Sequence, residues 1–429
     1  MRLPFSLAGN NSLIDSEVMI SVPYGDGMQH CRIPEKNFSG SLCPQVVAHG
    51  EPFQIIRNAI SHSSGSCSFE QLVKSKKLLV LVNDASRATP TGKVLDVMSQ
   101  ITSMETWTFL VATGSHQSST EEELRSIFGR HYEKLQPRIF CHDSRKLPEL
   151  IHMGTTSFGN SVLLNHQITK ADGIITIGSV EPHYFAGFTG GRKVFLPGIA
   201  GLESITRNHQ LALKPGVAPL ALKGNPVHEE MDDVLDFIKI PVFSIQIVAD
   251  SENHVLFASA GNMRQSFQSA VEFCHSVYTV ESPGKADIVV AVATPPLDSS
   301  LYQAHKAIEN TRGILKDGGI LILVAPCKKG IGDNPGFVDI LSQAASPAQA
   351  REMVRNDYIL GYHKVARLAE LMEKAELWTV SHLNETLLEN IFFKGFGSLQ
   401  QAVDKALALK PDGKLIVVQN AGMTVPVAK

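Results

Sequence analysis

Lys77-Leu78-Leu79-Val80-Leu81-Val82 runs without a break into Asn83-Asp84-Ala85-Ser86-Arg87. The first part is a short apolar run, of the length and character of a strand buried on both faces. The second is polar and carries a carboxylate and a guanidinium. The same succession recurs along the chain. Trp107–Ala112 meets Thr113-Gly114-Ser115-His116, and Gly173–Ile177 leads to Glu181-Pro182-His183. Ile288–Ala293 leads to Asp298, Tyr302, Gln303, His305 and Lys306. In open α/β sheets, ligands bind beyond the carboxyl ends of the strands. Four such ends carrying histidines, cations and carboxylates point to one shared site, in a cleft between two domains. For any single cluster the plain alternative holds, since loops are polar in general.

Outward from these runs, further strands are expected at Val242–Ala249, Ile320–Ala325, Leu377–Val380 and Leu415–Gln419. Helical periodicity falls at Thr91–Ile101, Thr120–Ile127, Glu229–Phe237, Met263–Val277, Leu301–Asn310 and Leu399–Leu409. Thr120 followed by Glu123 is a capping box. Alternation of strands and helices predicts an α/β fold of two domains, joined by two linking helices, with the site in the interdomain cleft. The spacing places an N-terminal domain over 1–265, a linker helix over 266–285, a C-terminal domain over 286–398, and a second linker helix with a terminal strand over 399–429. The first 20–60 residues read as an antiparallel or irregular cap on the first domain.

The length of 429 residues and 43% hydrophobic content suffice for two cores. Thirty-nine basic against 42 acidic residues leave a formal charge of −3. That balance gives no electrostatic reason for a nucleic-acid or anionic-membrane partner. No apolar run reaches the ~18–20 residues of a membrane span. The N-terminus has one Arg and a broken apolar patch, which does not read as a signal peptide. The cysteines at 31, 43, 67, 141, 274 and 327 form no C-x-x-C pair. Reduced thiols and a cytoplasmic location are the expectation.

The most unusual stretch is Glu181–Gly198, with Gly187, Gly190, Gly191 and Gly198 around Arg192-Lys193. Such glycines permit close backbone approach, and Gly190-Gly191 before two cations could cradle a phosphate. It is neither a Walker A loop nor a G-x-G-x-x-G fingerprint. The residues alone leave open a phosphate cradle with a placed lysine or a Gly-rich turn with a solvated Arg-Lys pair. His228-Glu229 begins like H-E-x-x-H, but Asp232 stands where the second His should be, so a zincin reading fails.

At these places the chain resembles the nickel-dependent lactate racemase family. The D-x-[ST]-R element is Asp84–Arg87, A-T-G-x-H is Ala112–His116, and T-E-E-E is Thr120–Glu123. The block H-x-x-A-G-x-x-G-G-x-K-x-x-x-P-G is His183–Gly198, with His209 sixteen residues after Lys193. Asn225–Glu230, Ser259–Asn262 and the Y-Q-x-x-K element at Tyr302–Lys306 continue the match over at least residues 77–330. The resemblance implies a two-domain α/β racemase or epimerase of 2-hydroxy acids. Lys193 would tether a nickel-pincer nucleotide, a pyridinium thioamide/thiocarboxylate mononucleotide, and His209 would be the protein ligand of Ni(II). Soft sulfurs with a neutral imidazole suit square-planar nickel. His116 and His183 would be the acid/base pair. Arg87, Gln303 and Lys306 would hold the substrate carboxylate with Tyr302 nearby, and Asp84, Thr189, Gly190 and Gly191 would border the cofactor. Cofactor-maturation enzymes would be transient partners.

The implied chemistry removes hydride from C2 to give a 2-keto acid and returns it to the other face. One His takes the hydroxyl proton and the opposite His supplies one. The chain departs from the family pattern in two places. Ala88 rather than Pro follows Arg87, with Pro90 later. The family's second-domain Trp near the substrate has no evident counterpart: Trp107 and Trp378 fall in apolar strands, and Tyr358 or Tyr362 are the candidates for that region. The substrate side chain is therefore left open. His305 beside Lys306 reads either as a residue that alters the pocket or, the commoner case, as a loosely packed helix-surface His. The competing readings are an NAD-type 2-hydroxyacid dehydrogenase, opposed by the missing fingerprint, and a non-enzymatic pincer carrier, opposed by the His116/His183 pair.

Overall fold

The computed structural model describes residues 16–65, 67–87, 89–332 and 336–429. Ala88 and the N-terminal stretch read for a signal lie outside the described residues. Alternation within the apolar strands sets the layers. Successive side chains of a strand point to opposite faces. In Leu78–Asn83, Leu78, Val80 and Val82 join one core with Phe109, Ile175 and Phe243, while Leu79 and Leu81 join another with Ile174, Phe195 and Ile205. A sheet buried on both faces follows, with strand order 255–261, 242–249, 173–179, 78–83, 108–112, 139–141. All its neighbours are parallel except the edge strand Val255–Gly261. The second sheet repeats the logic. Val289 and Ala291 face one core, and Ile288, Val290 and Val292 face the other. Its order is 393–396, 376–380, 315–324, 286–292, 415–418, 38–42, parallel throughout.

All eight expected strands and all six expected helices are present. Glu121–Phe128 is capped by Thr120, with both halves of the capping box formed with Glu123. Two expectations are corrected. Of the two forms expected for the N-terminal cap, the antiparallel one is found, since Glu17–Tyr24 pairs with Gly27–Pro34 in a hairpin, but it does not cap the first domain. Its Ile20, Val22, Cys31 and Ile33 pack in the core that includes Ile288, Trp378 and Leu399, and Phe38–Leu42 pairs with Leu415–Val418. Local alternation specifies a hairpin; only a pairing with a strand near the far end of the chain decides which sheet receives it. Helix Leu399–Leu409 is likewise no connector. Leu399, Ala402, Val403 and Ala406 are buried against the second sheet. Helix Met263–Tyr278 packs on Val242–Ala249 and Val255–Gly261 before the chain passes into Thr279–Ser282, which pairs in parallel with Val425–Ala428. The chain thus crosses between domains through 43–51 and around 279–285. No helix of the described residues is long and apolar enough to cross a membrane.

Candidate active site

In the first sheet, 78–83 runs to 108–112 on one side while 173–179 lies on its other side. That reversal opens a crevice beyond Asn83 and Ser179, the position where such sheets hold ligands. The loops leaving these strands supply the reactive residues. After Thr108–Ala112, the Gly114 amide donates to the Gly198 carbonyl (2.9 Å), which ties the His116 loop to the lysine loop. His116 Nδ1 meets Asp84 Oδ2 at 2.7 Å, and the Ser86 hydroxyl donates to Asp84 Oδ1 at 2.6 Å. Burial would raise the Asp84 pKa, but these hydrogen bonds and the Arg87 charge outweigh it and hold the carboxyl below its usual range. An ionised Asp84 accepts, so the His116 proton sits on Nδ1 and its Nε2 lone pair is free. Asp84 therefore orients His116.

The strand Gly173–Ser179 delivers a tight loop. Pro182–His183 pairs with Gly187–Phe188, and Gly187 turns at φ +74, where a Cβ would stand 2.2 Å from the Ala221 carbonyl oxygen. The Thr189 hydroxyl donates to the Ser179 carbonyl and accepts from the Glu181 amide, both at 2.8 Å. The Gly191 amide donates to Gln246 Oε1 at 2.9 Å. A Cβ at Gly190 would lie 2.6 Å from Val180, and one at Gly191 2.8 Å from Phe267. These groups are thus committed to packing the loop itself. Nor is the Arg192-Lys193 pair solvated. Arg192 is buried, lies 4.4 Å over the Phe267 ring and donates to the Ala186 carbonyl at 2.8 Å.

What the loop holds in place is Lys193. Its side chain is 9% exposed, with Nζ 5.2 Å from the Phe185 ring centre. Burial, with the charges of Arg87, Arg192 and Lys306, pushes its pKa well below the lysine range. A lowered pKa raises the share of the neutral amine, the nucleophilic form of a lysine. His209 ends the helix Leu202–Gln210 and sits edge-on to Phe185 at 5.0 Å. Burial and the Lys193 charge hold it down at about 3, and its Nδ1 has no hydrogen-bond partner. A neutral imidazole with an unused nitrogen is a metal ligand in waiting. His183 stacks on Tyr184 and accepts the Ala186 amide at Nδ1 (3.3 Å), which puts its neutral proton on Nε2. Burial, then Lys193, Arg87, Lys306 and His209, depress its pKa well below the usual histidine value.

The second domain closes the site with helix Leu301–Thr311, which carries Tyr302, Gln303, His305 and Lys306. Lys306 is lowered to about 8 by burial and by Arg87 of the first domain. Arg87 and Lys306 both act on His183 and Lys193, so the two domains present cations to one space. The expectation of a surface His305 is corrected: its ring is 0% exposed, because Tyr184 of the other domain lies 5.2 Å from it. Sequence reasoning also passed over His363, which joins two tyrosines. Its Nδ1 meets the Tyr358 hydroxyl at 3.0 Å and its Nε2 the Tyr184 hydroxyl at 3.1 Å. Of the two candidates for the missing aromatic, it is Tyr358 that reaches this cluster. Trp378 is buried in the second sheet against Phe396.

Among the described residues, a separate group of potential metal donors, His49, Asp250 and His254, contains none of these side chains. Among the described residues no comparable set of three such donors gathers around His209.

Two family models match the chain: the lactate racemase N-terminal domain over residues 24–218 and the lactate racemase C-terminal domain over 281–427. The chain is 25% identical to a lactate racemase of Thermoanaerobacterium thermosaccharolyticum, over 93% of this chain and 99% of that one. It is 27% identical to a lactate racemase of Lactiplantibacillus plantarum, over 95% and 99% respectively. The solved lactate racemase apoprotein from T. thermosaccharolyticum superposes with a TM-score of 0.89 at 25% identity, covering 96% of this chain and 100% of that one. A Thermotoga maritima protein shares the fold at TM-score 0.69 and 18% identity, covering 89% of this chain and 100% of its own. With two matching domains in the family's order and a fold shared end to end, the chain belongs to the lactate racemase family and is an isomerase.

Proposed function

We propose that this protein inverts C2 of a 2-hydroxy acid by reversible, proton-coupled hydride transfer, with a nickel-pincer nucleotide tethered to Lys193. The observation that carries this reading is the pairing of a buried, pKa-depressed Lys193 with a His209 that has an unused nitrogen and a depressed pKa. An amine of this kind, with no carboxylate partner among the described residues, is costly to bury unless it is consumed by bond formation. When bound, the pincer would supply an electrophilic carbon able to accept hydride from C2. His209 would hold the nickel through a ring nitrogen.

The protein's own residues do the rest. Arg87 and Lys306 grip the C1 carboxylate from the two domains, with Gln303 and Tyr302 beside them. The resting tautomers are complementary. His116 offers a bare Nε2 and can take the hydroxyl proton, while His183 can return one from Nε2 when it carries a second ring proton as imidazolium, and is left neutral. After one half-turnover the roles exchange, which suits a reaction run in both directions. Asp84 stabilises the imidazolium formed at His116. Burial and the surrounding cations disfavour the His183 imidazolium, so that form gives its proton up readily and returns to the neutral ring. Protein made together with cofactor-maturation enzymes tests the reading: chiral chromatography of a 2-hydroxy acid panel should show racemisation, lost in Lys193→Ala. For the domain division at 1–265, 266–285, 286–398 and 399–429, we group 17–42 and 399–429 with the second domain, a reading supported by their packing and pairing on its sheet. A cytoplasmic site and transient maturation partners belong to the same proposal.

A further inference from the structure

On the far side of Tyr184 from His183, the two domains bury polar groups that neither the proton relay nor carboxylate binding uses. Lys364, near the start of helix Tyr362–Met372, is 5% exposed. Its Nζ lies 3.2 Å from the Tyr302 ring centre and donates to the Tyr302 carbonyl at 2.8 Å. An ammonium has three donors, and no carboxylate pairs with this one among the described residues. The nearby buried acid, Glu309, is taken by Arg367 Nε at 2.6 Å and Arg312 at 3.2 Å. His305 is 0% exposed; its Nε2 faces Glu309 Oε1 at 3.6 Å, and its Nδ1 has no hydrogen-bond partner. Tyr184 joins these groups to the reacting centre. Its ring stacks on His183 at 5.2 Å, presents an edge to His305 at 5.2 Å, and its hydroxyl meets His363.

Buried polar groups in proteins are paired, and those left over at a site await a ligand. We infer that Lys364 and His305 form a distal subsite for acceptor oxygens on the substrate's side chain, so that the preferred 2-hydroxy acid carries a carboxylate or hydroxyls beyond C2 rather than a plain alkyl group. This rests on the proposed reaction and adds the substrate class to it. A methyl or ethyl side chain would enter such a subsite without satisfying either residue, and sites built to hydrogen-bond a substrate reject analogues that lack the group. The shared chemistry is a hydrogen-bond-accepting oxygen, which a second carboxylate or a polyhydroxy chain both supply.

The test uses the cofactor-loaded protein with malate, a six-carbon aldonic acid, lactate and 2-hydroxybutyrate. Inversion is followed by chiral chromatography and binding by ligand-induced thermal shift. Malate or the aldonic acid should exceed both alkyl acids in kcat/KM and in shift, and their order tells which source of oxygen the subsite takes. Lys364→Met should lower that preference about 10–100-fold, chiefly through KM, the loss expected for one charged hydrogen bond. Lys364→Arg should keep part of it, which a merely structural lysine would not require. Preference of the wild-type protein for the alkyl acids, in turnover and binding alike, overturns the inference even if every variant misfolds, while leaving the racemase reading intact. If no acid is inverted, the racemase reading fails, and the thermal shifts alone still decide whether oxygens are favoured.

Discussion

His116 and His183 stand in opposite tautomeric states, one fixed by Asp84 and one by the Ala186 amide. Each turnover uses both, so His116→Ala and His183→Ala should each lose about 10²–10⁴-fold in both directions. Lys193 modification and nickel content should persist, as intact mass and metal analysis would show. The residual half-reactions should favour opposite enantiomers, and a common preference would contradict a two-faced site. A second consequence concerns pH. Burial first, and then neighbouring cations, depresses His183 and His363, while His209 and His228 are held at about 3 and His305 at about 4. Their folded pKa values lie below the unfolded ~6.5. The stability they contribute is therefore present above that value and lost as pH falls below it, because only the unfolded chain takes up the protons. At pH 5.5, the metal-free protein should lose on the order of 1 kcal/mol per such histidine relative to pH 7.5. Urea unfolding midpoints measure this, and an unchanged or higher midpoint at pH 5.5 would contradict it. The grouping of His183 and His209 with Lys193 was legible through family spacing. That of His305 and His363 was not, because a histidine on a helix looks alike whether its face meets water or another domain.

Strands and helices were readable where burial leaves a local mark. Val242–Ala249 and Thr91–Ile101 fall where the apolar runs and periodicity place them. The helix Leu202–Gln210, LESITRNHQ, was missed because its polar composition gives a weak apolar stripe, with Ser204, Ile205 and Asn208 as its buried residues. The segment holding the Glu17–Pro34 hairpin reads from sequence as an antiparallel or irregular cap on the first domain, whereas it packs on the second, because the pairing of Phe38–Leu42 is non-local. The lysine loop is the element on which the site depends most, and its glycines serve packing. At Gly187, φ is +74 and a Cβ would meet the Ala221 carbonyl at 2.2 Å. Gly187→Ala should therefore cost about 1–3 kcal/mol in strain. It should also cut the fraction of Lys193 carrying the adduct, because the turn sets both His183 and the lysine. Wild-type stability and adduct yield in that variant would show that the turn is not so constrained.

At the scale of the whole molecule, the two domains meet through polar contacts that also build the site. Arg367 of the second domain holds buried Glu309 through Nε at 2.6 Å and reaches the Val217 carbonyl of the first at 3.3 Å. Breaking a buried pair by removing one partner typically costs about 3–5 kcal/mol, because an uncompensated charge remains. Arg367→Met should be destabilised by about that much, and Arg367→Met with Glu309→Gln by less, in thermal unfolding. Equal losses would mean that the pair is not the source of the effect. No local signal marks Arg367 or Glu309 in the sequence, since their roles exist only once the domains are together. The account as a whole turns on Lys193. Intact mass of the protein made with and without cofactor-maturation enzymes tests it most directly. A nucleotide-sized adduct should appear only in co-production, be absent in Lys193→Ala, and survive in His209→Ala while nickel is lost. A wild-type protein that inverts 2-hydroxy acids with Lys193 unmodified would contradict the account.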